Sequence, residues 1–168
     1  MKKVMKLMML LAFICTAIGV SAQVKLGHID AQKLISTMPE TIAAQKQLEQ
    51  KQVEIEKELT NMKTQFQEKV AEYEKNAQTY SEVVLANKQQ ELQEMQQRII
   101  RFQEIASNNL QKTQQDLMNP IITKAMEAIK AVGKENGFTY IYDVNALLYV
   151  ADNSEDILPL VKKKLGMQ

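Results

Sequence analysis

Apolar residues recur at steps of three and four through the middle of the chain, and they form one narrow stripe. Leu48, Ile55, Leu59, Met62, Phe66, Val70, Tyr73, Ala77 and Tyr80 make a first series; Leu85, Leu92, Met95, Ile99, Phe102, Ala106, Leu110 and Leu117 make a second. This spacing predicts a coiled-coil seam rather than the wide face of a globular core helix. Steps of four at Phe66 to Val70 and Ala106 to Leu110 are stutters that locally unwind a supercoil. Gln52 and Lys88 fall where seam residues are due, which makes the seam weaker than a zipper.

The polar positions between these residues argue for helix as well. Residues 40–119 carry 16 Gln, 12 Glu, 8 Lys and 2 Arg, straight-chain residues that lose little rotamer freedom in a helix. No Gly lies between Gly27 and Gly133, and no Pro between Pro39 and Pro120. One unbroken helix of this length would extend about 120 Å with a single thin stripe to bury, so a hairpin is the more economical solution. Asn, Thr and Ser cluster at residues 76–81, and Thr79 followed by Glu82 offers a capping box. A turn there leaves two arms, residues 40–76 and 82–118, each about 55 Å long. The expected unit is an antiparallel αα-hairpin.

The pattern changes on both sides of the hairpin. Residues 24–29 read as a short strand, with Asp30 capping a helix that runs to about Thr37. Pro120 suits the first turn of a new helix or a kink, and Ile121, Ala125, Ile129 and Val132 give that helix an apolar face ending between Gly133 and Gly137. Residues 138–142 and 146–150 read as strands joined by the turn residues Asp143 to Asn145. Pro159 opens a last short helix that closes with Lys162 to Lys164 and Gly166. The fold class is therefore α+β: a small body from residues 23–39 and 120–168, and a long hairpin from residues 40–119. A body of 66 residues stabilises itself only marginally, which predicts a homo-oligomer whose partner subunits complete the core.

The N-terminal segment alters the charge and cysteine balance. Lys2, Lys3 and Lys6 precede an apolar run from Leu7 to Ile18, and Val20-Ser21-Ala22 supplies small residues for cleavage, so residues 1–22 read as a secretory signal peptide. Twelve apolar residues fall short of the roughly 20 a membrane-spanning helix needs. Cys15 lies within that run after Ile14, which does not suit lipidation, and its removal leaves no cysteine for a disulfide, a thiol nucleophile or a Cys-based metal site. Loss of the three lysines leaves 18 basic against 20 acidic residues, a net of about −2 that gives no support for nucleic-acid binding.

Candidate chemistry is sparse. His28 is the one histidine, and alternation places it on one strand face with Val24 and Leu26, where it reads as a satisfied residue packed in the sheet. A serine elbow, a Gly-rich phosphate loop and a second imidazole ligand are all missing, so neither enzyme activity nor a cofactor is expected. Asp152, Ser154 and Asp156 begin like a calcium loop, but Ile157 stands where Gly is needed and Lys163 where Glu is needed; the segment reads as a turn. The Lys162 to Lys164 run reads as a solvated helix end rather than a lipid contact.

The sequence resembles the Skp/OmpH family of periplasmic chaperones. The resemblance rests on Lys25-Leu-Gly-His-Ile-Asp30, the Gln/Glu/Lys-rich hairpin, Asn119-Pro-Ile-Ile122, and the run from Gly137-Phe-Thr-Tyr-Ile-Tyr-Asp143 to Asn145-Ala-Leu-Leu-Tyr-Val-Ala-Asp152. It implies a homotrimer with a β-rich hub, from which three hairpins project as tentacles around a cavity. It further implies an ATP-independent holdase of the periplasm that encloses unfolded outer-membrane β-barrel proteins until delivery to the outer-membrane assembly machinery. Val24, Leu26, Ile29, Ile141, Leu147 and Tyr149 would carry trimerisation, and Met62, Phe66, Tyr73, Ile99 and Phe102 would contact client. The family's positively charged tentacles imply binding of lipopolysaccharide; the slight acidity of this chain leaves that partner, and anionic lipid, unsupported. A structural coiled-coil spacer of the cell envelope is the alternative reading.

Overall fold

A computed structural model describes residues 24–167; the signal-peptide reading of residues 1–22 lies outside the described residues. Strand β1 (Leu26–Ile29) leads into helix α1 (Ala31–Thr37), and helices α2 (Pro39–Asn76) and α3 (Glu82–Glu135) form the hairpin. Strand β2 (Tyr140–Asp143), a 3-10 turn (Val144–Ala146), strand β3 (Glu155–Asp156) and helix α4 (Leu158–Lys164) complete the body. The α+β class holds.

Local chemistry accounts for the helix boundaries. Asp30 caps α1, its carboxylate accepting from the Lys33 amide at 2.7 Å, and Pro39 occupies the first turn of α2 where its missing N–H costs nothing. The tip reverses where the Asn, Thr and Ser cluster lies, although the cap differs from the expected one. Ser81 caps α3 by accepting from Val84, whereas the Thr79 hydroxyl turns back to the Asn76 carbonyl at 2.8 Å. At the far end of α3, Gly137 adopts φ +69° and Phe138 N–H donates to the Gly133 carbonyl at 2.9 Å, which terminates the helix in a Schellman motif.

Pro120 neither starts a new helix nor ends the second arm. Helix α3 continues through it without a break over 54 residues, about 80 Å, so hairpin and body share one continuous element. Pro120 is exposed, and the Asp116 carbonyl that loses its helical donor can turn to water, which is how a surface helix tolerates an internal proline.

The sheet has the order β2-β1-β3, with both neighbours parallel to β1. Parallel pairing requires a long crossover, and here the crossover is the hairpin itself. Gly27 and Ile29 face the helices, while Leu26 and His28 face the other way. Leu34, Met38, Ile157 and Val161 are fully buried and anchor a core completed by the apolar face of the last third of α3. Thr41 is buried at the root of α2, its hydroxyl satisfied by the Ile35 carbonyl.

Two strand assignments require correction. Residues 146–150 form no strand: after the 3-10 turn they run unpaired along the surface. The third strand is instead Glu155–Asp156, inside the stretch read as a turn, with Gly27 opposite Glu155 and His28 opposite Asp156. Two residues without apolar character carry no strand pattern; the free edge of β1 selects them.

Candidate functional site

The first candidate surface is the open face of the sheet. Register places Leu26 beside Tyr140 and His28 beside Tyr142, so these four side chains share a face. The Tyr140 and Tyr142 rings lie 6.1 Å apart, and both are exposed, as is Leu26. His28 is half-buried, with Nδ1 2.8 Å from Ser154 Oγ, which ties β1 to the turn before β3. Leu147, Leu148 and Tyr149 add further apolar area, Tyr149 being 80% exposed and Leu148 entirely so. Exposed apolar side chains grouped as Leu26, Tyr140 and Tyr142 are on one sheet face are unusual on a monomer surface.

The six residues proposed for trimerisation divide. Val24, Leu26, Leu147 and Tyr149 are exposed. Ile29, at 2% exposure, is spent inside the protomer's own core, and Ile141 packs against that core. Tyr140, Tyr142 and Leu148 are exposed as well; alternation through 140–142 signals the first two, because turning Ile141 inward turns both tyrosines outward.

The second candidate surface is the hairpin. Met62, Phe66, Tyr73, Ile99 and Phe102 are all half-buried along the seam between the arms. A shallow groove lined by Ile55, Leu59, Phe102 and Ala106 shows why: two helices meet along one line and leave the flanks of each seam residue in contact with solvent. Near the position due at Gln52, the Lys51 ammonium donates to Thr113 Oγ1 at 3.1 Å across the arms, while Gln52 itself is exposed at the edge of this groove and donates to Glu56. Apolar side chains outside the seam are few. Ile42, Val53, Val83, Ile100 and Ile105 are each more than half exposed, but Ile100 and Ile105 lie about 140° apart around α3 and form no stripe.

Ion pairs link the arms at two levels. At the root, Lys124 donates to Glu40, and this hydrogen bond holds the Glu40 carboxyl below the usual carboxylate range. Towards the tip, Glu72 accepts from Lys88 at 3.1 Å, which lowers the Glu72 pKa and raises that of Lys88. Among the described residues, no group of three or more His, Cys, Asp or Glu could hold a metal, and no helix is long and apolar enough to cross a membrane. In the segment that begins like a calcium loop, Ser154 lies against His28 and Asp156 accepts from the Leu158 amide at 2.8 Å.

A hairpin of this length on a small parallel-stranded body defines a tentacle-bearing α+β protein, and the chain belongs to the outer membrane protein (OmpH-like) family, whose pattern it matches over residues 25–165. It is similar to the chaperone protein Skp of Yersinia enterocolitica, with 23% identity over 152 residues covering 89% of this chain and 92% of that one. The chaperone protein Skp of Photorhabdus laumondii is 22% identical over 133 residues, covering 79% and 81% of the two chains. The fold resembles that of a crystal structure described as an OmpH-like outer membrane chaperone from Caulobacter crescentus, with TM-score 0.76, 16% identity, and 83% and 82% of the two chains covered.

Proposed function

We propose that this protein is an ATP-independent holdase of the periplasm, a homotrimer that keeps unfolded outer-membrane β-barrel proteins from aggregating between its hairpins. The observation that carries this reading is the pairing of a long, weakly closed hairpin with a body whose apolar sheet face is left uncovered. The relatives named as Skp chaperones support the chaperone part. Copies meet through Leu26, Tyr140, Tyr142 and the Leu147 to Tyr149 segment, where each protomer lacks cover for its own sheet. Client is held by many weak contacts, from the solvent-facing flanks of the seam residues and from isolated side chains such as Val53, Ile100 and Ile105. Residues 1–22 direct export. With no basic excess to steer capture, holding depends mainly on apolar contact and survives added salt.

The test is to purify the chain without residues 1–22, determine its mass in solution, and dilute an unfolded β-barrel protein into it. A trimer that suppresses light scattering by the client, in low and high salt alike, is the expected result. Intact trimers that leave the client aggregating would favour the envelope-spacer reading, and a monomer would overturn the assembly.

A further inference from the structure

Lys69, Glu72, Lys88 and Glu91 close a ring of alternating charges across the two arms. Lys69 Nζ lies 3.5 Å from both Glu72 and Glu91, and Lys88 Nζ lies 3.1 Å from Glu72 and 3.7 Å from Glu91. Every cation touches every anion, and all four side chains are half-buried. Among the described residues the other polar links between the arms are single pairs: Glu40 with Lys124, Lys51 with Thr113, and Tyr73 with Gln89.

The ring interrupts the apolar seam. Lys88 occupies the stride between Leu85 and Leu92 where an apolar side chain would otherwise pack. On the root side the seam is continuous through Ile55, Leu59, Met62 and Phe66 on α2 and Met95, Ile99, Phe102 and Ala106 on α3. Val70 and Leu92 lie at the level of the ring, and beyond them on the tip side Tyr73, Ala77, Tyr80 and Leu85 remain, beside the polar Asn76. At this level the polar links between the arms are the ring and one tyrosine–glutamine hydrogen bond of 2.8 Å, beside the half-buried Val70 and Leu92.

We propose that this ring is an ionic clasp, which lets residues 73–87 open as a unit in response to ionic strength and acid while the rest of the seam stays closed. Opening exposes Tyr73, Tyr80 and Leu85 together. Solvent-accessible ion pairs are individually weak and are screened by salt, so a clasp made of them lies near balance, whereas apolar burial towards the root does not respond in this way. Glu72 faces Lys69 on its own helix and Lys88 on α3, where Glu91 is the competing anion. Glu68 and Lys75, within a turn of Glu72, form no ion pair. The Glu72 carboxyl is held low by Lys88, so the clasp is charged at neutral pH and is lost as pH falls through and below the ordinary carboxylate range. The clasp requires no client and stands independently of the holdase reading.

Hydrogen exchange of the full protein at neutral pH, in about 20 mM and about 1 M NaCl, tests it. The expected result is exchange about threefold or more faster in high salt for peptides spanning 73–87, with no change for peptides spanning 95–115. Replacing the ring cations with glutamine (Lys69→Gln with Lys88→Gln) leaves the tip fast at both salt levels. Lys88→Leu, which completes the seam, leaves it slow and indifferent to salt. A wild-type tip that ignores salt, a hairpin that loosens uniformly, or a Lys88→Leu variant that keeps the salt response would each overturn the clasp. If a variant fails to fold, the wild-type salt comparison still decides.

Discussion

Gly27 lies directly against Phe138: a Cβ placed on Gly27 would sit 2.8 Å from Phe138 Cε1 and 3.1 Å from Ile157 Cγ2. The central strand must therefore be bare at this point for the ring of Phe138 to close the core beside it. Gly27→Ala is expected to destabilise the body by about 1–3 kcal/mol, the usual cost of overpacking, seen as a lower urea midpoint at fixed protein concentration. Gly133→Ala is the control. There the close atom is the flexible Cδ1 of Ile141, and gained helix propensity of up to about 1 kcal/mol offsets the shift.

Asp30 joins β1 to α1 through its bond to the Lys33 amide. Asp30→Ala should cost about 1 kcal/mol, as loss of a helix N-cap does, and Asp30→Asn much less. Thermal unfolding of the two variants side by side checks the difference.

Seam and flank residues should separate by what they affect. Phe102→Ala removes half-buried seam area and is expected to cost about 2 kcal/mol of hairpin stability, less than a fully buried Phe would. Ile100→Ser with Ile105→Ser removes area that already faces water, so stability stays within about 0.5 kcal/mol. A fall in client holding with the second pair, at unchanged unfolding temperature, would assign those side chains to client contact.

The open sheet face can be tested by charge. Introducing Leu148→Asp with Tyr149→Asp places two carboxylates on side chains that nothing in the protomer covers, so the fold of one chain loses little. If copies meet there, burial of unpaired charge disfavours assembly, and sedimentation should show a loss of mass with far-UV helicity retained. Unchanged mass would move the interface elsewhere.

Acid should loosen the hairpin root through Glu40. Its pKa is lowered chiefly by the hydrogen bond from Lys124, so its contribution is present above the unfolded carboxylate value and is lost as pH falls through the folded one. An NMR titration of the Glu40 carboxyl should give a midpoint below the reference 4.5 in the wild type and a return towards it in Lys124→Met.

The sequence made the hairpin legible because its determinants are local. The three-and-four spacing, the absence of Gly and Pro, and the polar cluster at 76–81 each act within a few residues, and the arms begin and turn where these signals change. The apolar series from Leu48 to Leu117 is half-buried or buried throughout for the same reason. The ion ring was not legible as a ring. Lys88 stood out as a polar residue in the seam, but Lys69, Glu72 and Glu91 look like ordinary solvated charges until the turn brings the arms into register.

Around the sheet, tertiary contact overrode local preference. Residues 146–150 are rich in strand-forming side chains yet remain unpaired, while the polar Glu155–Asp156 pairs with β1, because strand identity there depends on which backbone reaches the free edge. Ile29 and Ile141 carry the same apolar signal as Leu26 and Tyr140, and only the packing of α3 and α4 decides which face is core and which is left open. Sequence alone thus determined the elements whose free energy comes from neighbours along the chain: the arms, their caps and their turn. The structure decided what depends on contacts between segments distant along the chain, namely the third strand, the continuity of α3 through Pro120 into the body, and the apolar sheet face left uncovered.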